Sequence, residues 1–285
     1  VPGELAGFVD DLEGVAARMP QVRVELDQTH CTVETKVRRI LAMNEAGALA
    51  GRRLLVLGDD DLTSVAAALF AANTGLRPAV RGITVLDVDT AVLEFVATET
   101  TGTGIAVDVV EYDARKPLPA SLRGQFEVAF TDPPYTVAGA EVFLSRAVEA
   151  LDSGVGRHCF FSFGARRPDE ALAVQQLFGR LGLTVRSLRP NFNEYVGAGV
   201  LGATSHLHHL RTTGRIAPTI TGEYTGPLYT ADAKPATVRP YRCLSCRAVH
   251  RVGPGARWVS IAQLKAAGCP RCRATAFRPM PLVGR

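Results

Sequence analysis

Three short stretches combine residue types that can do chemistry. Gly58–Asp59–Asp60–Asp61 follows the apolar run 53–57, and Asp132–Pro133–Pro134–Tyr135 follows the run 126–131. Two CxxC pairs, Cys243/Cys246 and Cys269/Cys272, stand 22 residues apart. In a nucleotide-binding α/β fold, the turn after the first strand is normally glycine-rich, so that backbone N–H groups and a helix N-terminus can hold an anion. Here one glycine precedes three carboxylates, which would repel a pyrophosphate and favour a cation. NAD or ATP fits such a turn poorly, and a sulfonium or a polyamine fits it well. The two prolines after Asp132 hold the backbone extended, so an acid and an aromatic ring are presented at small entropic cost. Beside a bound sulfonium, that pair suits alkyl transfer to nitrogen: the acid orients the amine and takes its proton, and the π-face tolerates charge in transit. The motif would equally serve an amino-directed DNA methyltransferase, and Pro-Pro-Tyr can also be a simple loop stiffener.

The paired CxxC knuckles give four soft ligands at a spacing that suits tetrahedral zinc in a ribbon. A structural Zn on Cys243, Cys246, Cys269 and Cys272 is expected, with no βαβ context to favour a redox role. Cys31 and Cys159 are isolated, and Cys159 lies in the apolar run 158–161, as a buried inert thiol would.

Behind these motifs stands an ordinary soluble composition: 285 residues, 47% hydrophobic and 21% charged, with a net charge of +4. That balance argues neither for nor against nucleic acid. There is no apolar run of transmembrane length and no basic leader, so a cytoplasmic protein with no membrane partner is expected. Phe8, Leu12, Val15, Ala16 and Met19 predict an amphipathic helix ending at Pro20, and Thr32 can cap a second helix over 33–43. Apolar strands then alternate with helical patterns: 53–57, 64–74, 82–88, 89–100, 105–111, 126–131, 139–151, 157–163, 168–181 and 183–188. The alternation predicts an α/β fold, a doubly wound, Rossmann-like, mainly parallel sheet, followed by a small C-terminal zinc ribbon. The expected division is a helical cap (1–50), a catalytic domain (51–215), a linker or lid (216–240) and a zinc module (241–285).

Ligands of such a sheet gather at the carboxyl ends of its strands, and each end here carries acid. Asp59, Asp60 and Asp61 follow the first strand, Asp87 ends the second, Asp113 follows the third and Asp132 the fourth. An acid after the second strand can hold a ribose diol, and one after the third can accept from an adenine amino group. Taken singly, each could be a helix cap or turn former; together they outline an adenosine pocket. Glu194, in a loop expected after 183–188, adds an acid near Tyr195 suited to an alkylammonium chain. His206, His208 and His209 lack a matching carboxylate or cysteine and read as strand or helix surface. Arg242, Arg247, Arg251, Arg257, Lys265, Arg271 and Arg273, with Tyr241 and Trp258, make the ribbon basic; it can brace the fold or bind nucleic acid or a carrier protein.

Gly58–Asp59–Asp60–Asp61–Leu62–Thr63–Ser64 and Thr131–Asp132–Pro133–Pro134–Tyr135–Thr136, supported by 27–28, 32–39, 86–89 and 143–146, closely resemble the branched-chain polyamine synthases, the N4-bis(aminopropyl)spermidine synthase family, over roughly residues 25–215. The resemblance implies a class I methyltransferase-like aminopropyltransferase. Its co-substrate would be decarboxylated S-adenosylmethionine, its acceptor a polyamine amine, and its by-product 5′-methylthioadenosine. On that view Asp132, Tyr135 and Asp60 serve catalysis; Gly58, Asp59, Asp61, Asp87, Asp113 and Pro133 hold the donor; and Asp132, Tyr135 and Glu194 hold the acceptor, in a chain that could form a homodimer. Members of the family carry a winged-helix domain ahead of the catalytic part. Fewer than sixty residues precede Gly58 here, so that domain is expected to be missing or vestigial, and the CxxC pairs lie outside the family pattern. Two other functions remain open. One is an S-adenosylmethionine-dependent N-methyltransferase or 3-amino-3-carboxypropyltransferase; the other is a nucleic-acid-binding zinc-ribbon protein.

Overall fold

A computed structural model describes residues 5–75, 80–196, 204–230, 232 and 238–280. The chain forms two compact units, residues 1–22 with 29–225, and residues 23–28 with 226–285.

The first unit is built on a seven-stranded sheet of β1 (Arg53–Leu57), β2 (Gly82–Asp87), β3 (Val107–Glu111), β4 (Val128–Thr131), β5 (His158–Gly164), β6 (Leu183–Glu194) and β7 (Thr204–Thr212), in the order β3-β2-β1-β4-β5-β7-β6. The first five strands are parallel, and β7 runs antiparallel to β5 and β6. β4 and β5 are buried along their whole length, as strands covered on both faces must be. From β1 the chain moves outward to β3, and from β4 it moves the other way to β5. Right-handed crossovers therefore place α3 (Thr63–Asn73) and α4 (Thr90–Thr100) on one face and α5 (Val137–Ala150) on the other, where α6 (Pro168–Arg180) packs against it. α1 (Ala6–Ala16) and α2 (Val33–Glu45) pack on α3 and close that face over the core of Phe8, Leu12, Ile40, Met43, Leu54 and Phe70.

The reversal of direction between β1 and β4 puts the end of β1 beside the end of β4, with Leu57 and Thr131 in register. Gly58, at φ 74°, makes the turn, and a Cβ there would meet the Phe143 ring at 3.4 Å.

Several expectations need correction. The first helix ends at Ala16 rather than Pro20. β6 continues from 183 to Glu194, so Glu194 ends a strand and does not sit in a loop. The histidines at 206–209 lie on β7, and His209 is buried rather than superficial: it stacks on Phe160 at 4.5 Å and shares a hydrogen bond with His158. Within 216–240, the part up to 225 belongs to the first unit. Buried Arg146 there donates to the carbonyls of Ala114, Ile220 and Gly222, and Ser145 bonds Thr219. Residues 231 and 233–237 of the expected linker lie outside the described residues. Among the described residues, no helix is long and apolar enough to cross a membrane.

The second unit carries a three-stranded antiparallel sheet, β10 (Phe277–Pro279), β8 (Arg239–Cys243) and β9 (Val249–Val252), in that order. It also contains α7 (Ile261–Ala267) and a short 3-10 turn at Val24–Leu26 that packs on α7.

Candidate active site and metal centre

The three aspartates after β1 have different surroundings. Asp59 accepts from the backbone N–H of Thr63 (2.6 Å) and Ser64 (3.3 Å) and from the Ser64 hydroxyl, so it fills the N-terminus of α3. Burial pushes its carboxyl up to about 7 despite these bonds. Asp61 is buried and accepts from Arg39 Nη1 at 2.8 Å and the Cys31 N–H at 2.5 Å, with Lys36 Nζ 3.9 Å away. Burial works against its charge, but Arg39 and then Lys36 hold its carboxyl below the usual range. Asp60 is half-buried, accepts from the Thr29 N–H at 3.1 Å and has no ion-pair partner among the described residues. Its carboxyl is pushed well up, first by burial and then by the charges of Asp61, Asp87 and Asp132.

Asp132 sits at the end of β4. Its Oδ2 accepts from Arg39 Nη2 (2.7 Å) and the Tyr195 hydroxyl (2.6 Å), and its Oδ1 from the Tyr135 hydroxyl (3.0 Å). Burial raises its carboxyl, and Arg39 only partly offsets this. The two phenols lie 2.6 Å apart, and both are pushed well above 10 by burial and then by Asp132, so they remain proton donors. The Tyr135 ring lies against β5: a Cβ at Gly164 would come within 2.6 Å of it, so glycine is what admits the ring. Asp132–Pro133–Pro134–Tyr135 thus brings acid and phenol together, and Thr136 then caps α5 by accepting from the Gly139 N–H.

Asp87 accepts from the N–H groups of Asp59 and Asp89, at 2.8 Å each, which ties the end of β2 to the end of β1. Asp113 is engaged by Arg115, whose side chain and backbone N–H both donate to it. Burial raises the Asp113 carboxyl, but the Arg115 hydrogen bonds outweigh it and hold it low. Glu194 points its carboxylate to the surface, 51% exposed, with Arg38 3.5 Å away. Its backbone does more: Glu194 O accepts from Thr32 N–H and its N–H donates to Thr35 Oγ1, fastening 29–35 beside β6.

Sequence reasoning missed the centre of the site, Arg39. Fully buried, it donates to Asp61, Asp132, Asn193 (2.8 Å) and Tyr195 (3.2 Å). Asn193 in turn donates to Ser162 and Ser205. A cavity of about 560 Å³ lined by charged and polar side chains, among them Asp10, Asp11, Arg18, Asn73 and Glu99, shares no residue with this cluster.

In the second unit the four cysteine sulfurs lie within 4.8 Å of one another, with Cys243–Cys272 and Cys246–Cys269 at 3.6 Å. Zn–S bonds of about 2.3 Å in a tetrahedron need sulfurs roughly 3.8 Å apart, so the set fits. The two knuckles repeat the same backbone. Arg247 and Arg273 take positive φ (60° and 63°) and donate to the carbonyls of Cys243 and Cys269, whose own N–H groups bond Ala248 and Ala274. His250 Nε2 lies 3.3 Å from Cys269 Sγ, placed to donate to a thiolate.

Sheet order and an antiparallel strand inserted next to the last position define a Rossmann-like fold of the class I methyltransferase type, with acids at the carboxyl ends of β1, β2 and β4. Residues 8–220 match the branched-chain polyamine synthase A C-terminal domain, and the chain belongs to that family. It is 36% identical over 238 residues to an uncharacterised protein of Methanocaldococcus jannaschii, covering 84% of this chain and 58% of that one. It is 32% identical over 203 residues to the N(4)-bis(aminopropyl)spermidine synthase of Thermococcus kodakarensis, covering 69% and 55%. The chain therefore spans little more than half the length of these curated relatives. Among solved structures, the Thermus thermophilus branched-chain polyamine synthase in complex with N4-aminopropylspermidine and 5′-methylthioadenosine aligns with a TM-score of 0.70 at 26% identity, over 79% of this chain and 69% of that one.

Proposed function

We propose that this chain transfers an aminopropyl group from decarboxylated S-adenosylmethionine to an amine nitrogen of a polyamine, leaving 5′-methylthioadenosine. The observation that carries the reading is Asp60: a half-buried carboxylate without a cation of its own, set among Asp61, Asp87 and Asp132. Such a group gains most from a ligand that brings positive charge. The names of the relatives point the same way.

In this reading Asp87 takes the ribose diol, Asp113 and Pro133 line the nucleoside, and Gly58 lets it approach the end of β1. Asp60, with Asp59 and Asp61 behind it, receives the ammonium tail of the donor. The acceptor nitrogen, neutral at the moment of attack, forms a bond to the propyl carbon next to sulfur. The C–S bond breaks, and its electron pair returns to sulfur as the neutral thioether. The new ammonium gives its proton to Asp132, whose raised affinity for protons suits this, and Tyr135 orients the nitrogen. General-base help of this kind contributes on the order of 10²–10⁴ in rate, with positioning supplying much of the rest. Glu194, on the surface beside Arg38, would serve at most the far end of a long acceptor. We assign a structural Zn to Cys243, Cys246, Cys269 and Cys272, where it would lock the two knuckles together.

Calorimetry with the two donors side by side tests the reading. The decarboxylated donor should bind at least tenfold more tightly than intact S-adenosylmethionine, and product analysis with a polyamine panel should find methylthioadenosine. Asp132→Asn should cut turnover by at least 10²-fold while changing methylthioadenosine affinity only a few-fold. Tighter binding of the carboxylate-bearing donor, with release of S-adenosylhomocysteine, would instead favour a methyltransferase.

A further inference from the structure

The net charge of +4 conceals two opposed halves. Residues 226–285 hold eleven Lys and Arg against a single acid, Asp232, whereas residues 1–225 hold 21 against 27. Asp232 is spent locally, accepting from the N–H groups of Leu228 and Tyr229. Nine of the cations lie in 238–280, and none of them forms an ion pair among the described residues. A doubly negative zinc–tetrathiolate would still leave this unit strongly positive.

The sheet gathers three of these charges on one face. Along β8 and β9, Tyr241, Cys243, His250 and Val252 are buried or half-buried, while Arg242, Val249 and Arg251 are exposed; on β10, Phe277 is half-buried and Arg278 exposed. Arg242 stands directly opposite Arg278 on one side and Val249 on the other, and Arg251 lies opposite Pro240. Like charges in register across antiparallel strands repel and are destabilising. Three arginines with an exposed valine among them therefore make a face whose charge no ion pair among the described residues offsets. Eight of the nine cations are arginine, the side chain whose planar fork grips phosphate bidentately and stacks on rings. Arg257 shows the second use within the unit, lying over the Trp258 ring at 4.8 Å on the opposite, His250 side of the sheet.

We infer that the C-terminal unit binds single-stranded nucleic acid on this face, with Arg242, Arg251 and Arg278 on the phosphates and their guanidinium planes open to unpaired bases. Nucleic acid carries a condensed layer of cations, so a polyamine-consuming enzyme anchored to it works where such substrates collect. The binding itself does not depend on that activity.

Fluorescence anisotropy of the zinc-loaded full chain with a labelled single-stranded 20-mer of RNA or DNA tests this across a salt series. The logarithm of affinity should fall linearly with that of salt. Removing three phosphate contacts in Arg242→Gln/Arg251→Gln/Arg278→Gln should reduce the slope by about 2, from roughly 0.7 per contact on single strands, and weaken binding at least tenfold. Metal content of one per chain and an unchanged Trp258 emission maximum would show that the variant is folded. The Arg→Lys triple should recover most of the slope, and methylthioadenosine release should be unaltered in both variants. Absence of binding at low salt, an unchanged slope in the glutamine variant, or stronger binding to phosphatidylserine vesicles than to either oligonucleotide would overturn the inference.

Discussion

Arg39→Met removes the one side chain that ties α2 to both Asp61 and Asp132, and its cost can be worked out from what remains. Asp61 would keep Lys36 and the Cys31 N–H, whereas Asp132 would keep only the hydroxyls of Tyr135 and Tyr195. A buried carboxylate left without its cation takes up a proton. For a carboxyl with a solution pKa near 3.9, doing so at pH 7 costs about 1.4 kcal/mol per pH unit over roughly three units, or about 4 kcal/mol. That agrees with the ~3–5 kcal/mol typical of removing one partner of a buried pair. The sign follows from linkage: in the variant, the folded state binds more protons than the unfolded chain between about pH 4 and the raised folded pKa, so stability falls as pH rises through that window. Because burial already raises the Asp132 carboxyl in the parent, part of that cost is present there too, so destabilisation relative to the parent should be at most about 4 kcal/mol at pH 7 and smaller at pH 5.5. Asp61, whose pKa is depressed in the parent, loses its contribution only at lower pH, so it does not blur the comparison. Urea unfolding at both pH values measures this. Far-UV circular dichroism is the appropriate signal, because the sole tryptophan, Trp258, belongs to the other unit. A loss under about 1 kcal/mol at pH 7, or the same loss at both pH values, would refute the idea that Arg39 neutralises two buried carboxylates.

The raised pKa of Asp60 makes cation binding pH-dependent: the ligand selects the ionised form, so affinity for a polyamine should climb as pH rises above the ordinary carboxylate range, with protons released. Calorimetry at neutral pH in two buffers of different ionisation enthalpy should give different heats, Asp60→Asn should reduce the difference, and buffer-independent heats would contradict it. Arg146→Met leaves the carbonyls of Ala114, Ile220 and Gly222 without their shared donor, each worth up to ~1–3 kcal/mol if it stays dry. Hydrogen exchange should then quicken across 219–224, and unchanged protection there would show that the segment is held by something else. Stripping metal with a strong chelator should red-shift Trp258 emission and open 238–280 to protease, as expected where four thiolates hold two knuckles; a domain indifferent to chelation would rule out a structural metal.

Much of the sheet is readable because strands covered on both faces appear as unbroken apolar runs, as β1, β4 and β5 do. β6 is an edge strand exposed from Thr184 to Asn191, and it contains Pro190, so periodicity shows its first half alone. The acids of the site are legible from their position at strand ends, but their division of labour is not. That division is imposed by Arg39 and Lys36, and charged residues on an amphipathic helix read as solvent-facing by default. Their one local sign is spacing: three apart, on the stretch of α2 that also buries Val37, Ile40 and Met43. The partners of Arg39 lie 22, 93 and 154 residues away, at Asp61, Asp132 and Asn193, a relation that only the fold creates.

The arrangement also supports the proposed preference for a donor without a carboxylate over one with it. In an anion-binding turn the first N–H groups of the following helix are open to the ligand. Here Thr63 and Ser64 N–H donate to Asp59, the Asp59 N–H donates to Asp87 and the Gly58 N–H to Leu86 O. The place where a phosphate or carboxylate would bind is filled by the protein's own carboxylate. Arg39 and Lys36 cannot substitute, since Arg39 is committed to Asp61, Asp132, Asn193 and Tyr195, and Lys36 to Asp61 O and Cys31 Sγ. An anionic ligand tail would have to displace Asp59 and then share a low-dielectric pocket with it and Asp60, two like charges a few ångströms apart at several kcal/mol. A cationic tail displaces nothing and relieves the repulsion that already raises Asp60. The proposed selectivity for positive charge thus rests on which N–H groups the chain has already used, as much as on the number of its aspartates.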